Sequence, residues 1–240
     1  MHQEKPPQTQ INSVIALYSN GQIEEALDSV GALIKDYPNE ALLYNISGAC
    51  YASLGQLDTA VKSYEQALAI KPDYANAYNN LGVTLQELGQ LEAAVKSYEQ
   101  ALAIKPDFAD AYNNLGITLK NLSRLDDAIK CYEKAVAIKP DYAEAHYNLG
   151  NALKDLGQLD AAIKSYEQAL AIKTDYADAH NNLGNALMEL GRLDAAVKCY
   201  EKALAINPDF AEAYHNHGGL MKRLKRQDKA LTSYESAIAL

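Results

Sequence analysis

The chain has no tryptophan, two phenylalanines, three methionines and three cysteines. An odd, sparse set such as Cys50, Cys131 and Cys199 is not a disulfide framework. Positive charge is short as well: 22 Lys and Arg against 31 Asp and Glu leave a formal net charge of −9. A nucleic-acid binder needs a basic stripe to displace counterions, and an anionic membrane surface attracts the same kind of stripe. The balance argues against both partners. No apolar run reaches the ~20 residues of a membrane helix. The opening MHQEKPPQTQ has no apolar stretch of the kind a secretory signal carries, so the expected location is cytoplasmic. There is no GxxxxGK[ST] phosphate loop, and no nucleophile, base and orienting group can be assembled. The chain is expected to be no enzyme and to need neither cofactor nor metal.

What is present is a period. Pro72, Pro106 and Pro140 are 34 residues apart, and the same step links Tyr64, Tyr98, Tyr132, Tyr166 and Tyr200. It also links Gly48, Gly82, Gly116, Gly150 and Gly184, and residues 61–73 and 95–107 are identical. A fixed period of this length implies stacked helical units, each touching only its neighbours, rather than one central core. Seven units fit: 7–40, 41–74, 75–108, 109–142, 143–176, 177–210 and a truncated one at 211–240, after a disordered tail at 1–6. Cys131 and Cys199 then lie two whole units apart, too far for a bond that needs Cα atoms within about 7 Å. Isolated thiols in a reducing compartment fit that spacing.

One unit shows how the period folds. In 75–108, numbered 1 to 34, Tyr78, Leu81, Gly82 and Leu85 fall at positions 4, 7, 8 and 11, one stripe of an α-helix. Gly89 at position 15 ends this helix, where a left-handed backbone costs least. Leu91, Ala94, Val95, Tyr98, Ala101 and Leu102 form the stripe of a second helix, and Pro106 stops it. Each unit is thus two antiparallel helices, about fourteen in all. Gly82 in mid-helix costs about 1 kcal/mol against alanine, so it implies close approach of a neighbouring helix, with Ala94 and its equivalents as the expected small contacts.

This pattern resembles the tetratricopeptide repeat, which has a large aromatic at 4, Leu at 7, Gly at 8, Ala at 20, an aromatic at 24, Ala at 27 and Pro at 32. Units 75–108 and 109–142 match almost fully, and the resemblance runs in phase over nearly the whole chain. It implies an all-α, right-handed superhelical α-solenoid of helix-turn-helix repeats. The ends depart most: Gln10 and Val14 stand where unit 7–40 should have the aromatic and the glycine. Ser47 and His217 replace the leucine at position 7, and Thr174 replaces the proline.

Opposite the first helix's packing stripe lie positions 2, 5, 6, 9, 12 and 13. Position 6 reads Asn80, Asn114, Asn148, Asn182 and Asn216, and position 5 adds Asn45, Asn79, Asn113 and Asn181. Asparagine is a poor helix-interior residue, so nine on one face require a reason. One reading is a solvated face copied by duplication. The other is an amide ladder that holds an extended peptide backbone, since an amide both donates and accepts. The family resemblance implies that the first helix lines the concave groove. The repeats are most similar to the superhelical arrays of O-linked N-acetylglucosamine transferases, whose inner face carries such a ladder. A chaperone-tail clamp is not present, because no unit has Lys at position 5 and position 2 is largely acidic: Asp110, Glu144, Asp178 and Glu212.

The second helix's free face carries Lys62, Lys96, Lys130, Lys164 and Lys198 with a glutamate three residues on, a solvated face of weak pairs. His146 and His180 occupy the position-4 ring slot, where packing is the expected role. Two functions remain. One is a non-catalytic scaffold binding a protein or extended peptide in its groove. The other is the substrate-recruiting arm of a larger, glycosyltransferase-like enzyme. Tyr234 and Ile238 on the last helix's packing stripe have no following helix in this chain, and self-association through them is expected.

Overall fold

The computed structural model of the protein describes residues 5–240. Among them are fourteen α-helices and no strand. They are α1 (Gln8–Ser19), α2 (Ile23–Asp36), α3 (Ala41–Ser53), α4 (Leu57–Ile70), α5 (Ala75–Glu87), α6 (Leu91–Ile104) and α7 (Ala109–Asn121). They continue with α8 (Leu125–Ile138), α9 (Ala143–Asp155), α10 (Leu159–Ile172), α11 (Ala177–Glu189), α12 (Leu193–Ile206), α13 (Ala211–Arg223) and α14 (Gln227–Ala239). The chain falls into two compact units, the first ending at Ser123 and the second Arg124–Leu240. Of the expected tail 1–6, residues 1–4 lie outside the described residues, while Pro6 is buried.

Each first helix ends in the same way. Gly89 has φ +73°, its N–H donates to the Gln86 carbonyl, and the Gln90 N–H donates to the Leu85 carbonyl. This pair of bonds satisfies carbonyls that a helix end otherwise leaves bare. Gly21, Gly55, Gly157 and Gly191 repeat the positive φ, and so do two residues that are not glycine, Ser123 (φ 60°) and Lys225 (φ 58°). Second helices open with an acidic residue in the first turn, such as Asp58, Glu92 and Asp160, where the helix dipole favours negative charge. After them, Lys71, Lys105, Lys139 and Lys173 each lie over the aromatic ring three residues on, 4.5–5.1 Å from its centroid.

The interior is built from columns. Tyr64, Tyr98, Tyr132, Tyr166 and Tyr200 are buried, as are the alanines at position 20 and, from Ala67 to Ala203, those at position 27. The glycine column is explained by the tyrosines and not by the alanines expected to face it. A Cβ on Gly82 would stand 2.6 Å from Tyr98 Cε1, and the same holds for Gly48 with Tyr64 and Gly150 with Tyr166. One side of the ring lies against the bare backbone of its own hairpin partner. The divergent first repeat follows the same logic in reverse. Val14 replaces the glycine, the residue at the ring position is Val30, and both are buried in one cluster. Where the glycine is lost, the ring is lost with it.

The position-4 side chains reach back across the preceding turn. Tyr44 donates to the Pro38 carbonyl at 3.1 Å, and Nε2 of His146 and His180 lie 3.0 and 3.2 Å from the carbonyl oxygens of Pro140 and Thr174. Two histidines in this ring slot are therefore turn-locking residues. Among the described residues no group of three His, Cys, Asp or Glu could hold a metal ion, and no helix is long and apolar enough to cross a membrane.

Candidate functional site: the first-helix face

In both units successive first helices touch one another: α1 with α3, α3 with α5 and α5 with α7, then α9 with α11 and α11 with α13. Among the described residues the second helices make no such contacts with each other. The first-helix side is therefore the crowded side of each unit, and the asparagine columns sit on it.

Those columns are not simply solvated. Asn79, Asn113 and Asn181 at position 5 are 8%, 5% and 1% exposed, so they lie in the seam between adjacent first helices. Asn80, Asn114, Asn148, Asn182 and Asn216 at position 6 are half-buried, as is Asn45. The two columns bond across repeats. Asn80 Nδ2 donates to Asn45 Oδ1 at 3.1 Å, and Asn114 Nδ2 donates to Asn79 Oδ1 at 3.2 Å. In the second unit Asn216 Nδ2 donates to Asn181 Oδ1 at 3.0 Å, and Asn181 Nδ2 donates to Glu212 Oε1 at 3.0 Å. Buried amides must be paired, and here they pair with each other. An amide has two N–H donors and two acceptor lone pairs, so one bond across the seam occupies only part of it.

Between its two ends, where Ile11 and His215 stand, the position-5 column is interrupted at one place. Position 5 of α9 is Tyr147, whose hydroxyl accepts from Asn182 Nδ2 at 3.0 Å. The same nitrogen donates to Asn151 Oδ1 at 2.9 Å, and Asn151 Oδ1 also accepts the Tyr166 hydroxyl at 2.8 Å. Asn185 Oδ1 accepts the Tyr200 hydroxyl at 2.7 Å in the next repeat. These position-9 asparagines were not among the residues expected from sequence, because only two repeats carry them. In the first unit position 9 is apolar, and Thr84 and Thr118 at position 10 stand beside the Tyr64 and Tyr98 hydroxyls instead. Burial, above all, pushes these phenols well above their ordinary range, so they remain protonated donors.

A groove of about 450 Å³ opens on this face in the first unit. It is lined by Tyr18 of α1, by Ala49, Ala52 and Ser53 of α3, by Tyr64 of α4, and by Asn80, Val83, Thr84 and Glu87 of α5. The Tyr18 hydroxyl and Ser53 Oγ lie 3.1 Å apart. The remaining sequence candidates lie elsewhere. Tyr234 packs against Gly218, and its ring centroid is 5.6 Å from that of His215, so it belongs to its own hairpin. Ile238 is 85% exposed. Among the described residues no disulfide joins the cysteines; Cys50 is buried, and burial pushes Cys199 up to about 11, which leaves it a poor nucleophile. Lys130 pairs back to Asp127 at 3.4 Å rather than forward to Glu133.

The geometry has relatives. A family model described as TPR repeat matches residues 48–89, 85–123, 121–157 and 150–191, and models described as tetratricopeptide repeat match 177–210 and 211–240. No curated protein sequence matches the chain. Among solved structures, MamA is 30% identical with a TM-score of 0.63, over 66% of this chain and 93% of its own. YrrB, described as a TPR protein with an unusual peptide-binding site, is 25% identical with a TM-score of 0.65, over 78% of this chain and 96% of its own. PilF from Pseudomonas aeruginosa shares the fold at 21% identity and a TM-score of 0.73, over 81% of this chain and 88% of its own.

Proposed function

Given that the chain belongs to the tetratricopeptide repeat family, we propose that it is a non-catalytic scaffold that holds an extended segment of a partner protein along its first-helix face. The observation that carries this reading is the double asparagine column on the crowded side of each unit, fixed by bonds across the seams. A row of oriented amides at a constant step addresses a polypeptide backbone and is tolerant of side chains. Fixing the amides beforehand lowers the ordering cost of binding. The described peptide site of YrrB supports the same class of ligand. A second reading, recruitment of polypeptide substrate for a catalytic domain, rests only on the resemblance drawn from the sequence. It uses the same face and the same residues.

The test is a selection from a random dodecapeptide library on the full chain, followed by titration of the selected peptides against the Asn80→Ala/Asn114→Ala and Asn148→Ala/Asn182→Ala variants. A loss of tenfold or more in at least one variant is expected, since each lost hydrogen bond is worth about 0.5–1.5 kcal/mol. Far-UV circular dichroism shows whether the variants remain helical. Undiminished binding to both folded variants would remove the asparagine columns from the site.

A further inference from the structure

We propose that the groove where α1, α3 and α5 meet receives a basic side chain, lysine or arginine, of the bound polypeptide. This rests on the scaffold reading above and specifies one residue of the partner. The walls are small and apolar: Ala49, Ala52 and Val83. Two rings, Tyr18 and Tyr64, line it together with Ser53, Asn80 and Thr84. One charge lines it, the carboxylate of Glu87, which is exposed on the last turn of α5. Among the described residues no cationic one lines the groove. Burial foremost pushes the Tyr64 and Tyr98 phenols up, and the Glu87 charge adds a smaller push to each.

Only one class of side chain satisfies this set. Lysine and arginine carry an apolar stem that matches the alanine and valine walls and a charged tip that stays near water. The half-buried Tyr18 supplies an aromatic ring that attracts such a tip, and Glu87 supplies its counter-charge. A purely apolar guest would cover Ser53, Asn80, Thr84 and Glu87 without pairing them. An acidic guest would meet Glu87 directly.

The experiment measures fluorescence anisotropy of three dye-labelled decapeptides, alternating alanine with lysine, glutamine or glutamate, on the full chain. The lysine peptide is expected to bind about fivefold or more tighter than the glutamine peptide, and the glutamate peptide weakest. Glu87→Gln should erase the lysine preference. Glu99→Gln, on the exposed face of α6, should leave it. Equal effects of the two substitutions would mean that only the net negative charge attracts the peptide, and would overturn the proposal. Equal binding of the lysine and glutamine peptides would overturn it while the scaffold reading stands. If none of the three peptides binds, the scaffold reading itself fails, and the groove assignment fails with it.

Discussion

A single methyl group separates glycine from alanine, and at position 8 it decides whether the hairpin closes. Alanine is the better helix former by about 1 kcal/mol, so propensity alone predicts that Gly82→Ala stabilises the protein. The structure predicts the opposite. The new Cβ would stand 2.6 Å from a ring edge of Tyr98, which is fully buried and has no room to withdraw. We expect Gly82→Ala to lower stability by about 1–3 kcal/mol in urea titration, despite the gain in propensity. No loss would mean that the ring moves freely. Position 15 gives the complementary case. Lys225 sits at φ 58°, where a side chain costs about 1–2 kcal/mol that glycine does not. Lys225→Gly should raise stability by about 0.5–1 kcal/mol after the extra chain entropy of glycine is subtracted. A thermal melt that shifts downward would contradict this.

At the scale of the helix pair, α13 carries a half-buried histidine where most interior hairpins have leucine. His217 replaces the leucine of position 7, its Nδ1 lies 2.9 Å from Ser233 Oγ, and it meets the Tyr200 ring edge-on at 6.5 Å. Burial lowers its pKa, Glu201 opposes that shift, and Lys229 adds to it. Burial lowers His180 likewise. A histidine whose folded pKa lies below its unfolded value of about 6.5 binds fewer protons when folded. Stability is then flat above that value and falls as pH drops below it. We expect urea midpoints to decline from pH 7 to pH 5, and His217→Leu to reduce that slope while raising the midpoint at pH 5. An unchanged slope would assign the acid sensitivity to other groups. The asparagine columns belong to this scale as well. Asn181 is buried and bonded to Asn182, Glu212 and Asn216, so Asn181→Ala should cost about 1–3 kcal/mol with peptide absent. Loss of binding without loss of stability would make Asn181 a ligand contact only.

At the scale of the molecule, what could be read beforehand depended on how local its cause is. Helix ends were legible because Gly89 and Pro106 act through their own backbone dihedrals. The ring column was legible as buried. Its contact with the glycine was not, because Gly82 and Tyr98 are sixteen residues apart across a turn. The asparagine face was legible as a face from helical spacing. That Asn114 meets Asn79, and that the position-5 amides are buried, depends on how closely α5 and α7 approach, which spacing within one helix does not contain. The groove by Glu87 draws on three first helices and the Tyr64 ring, so it was the least legible of all. The central claim is that amides hold the backbone of an extended partner. The measurement that reaches it most directly compares one selected dodecapeptide with its copy N-methylated at alternate residues. Methylation removes backbone N–H donors and leaves every side chain in place. The account predicts at least tenfold weaker binding of the methylated copy by calorimetric titration, and little change when side chains away from the Glu87 groove become alanine. Equal affinity of the two copies, with affinity lost instead by side-chain truncation, would contradict it.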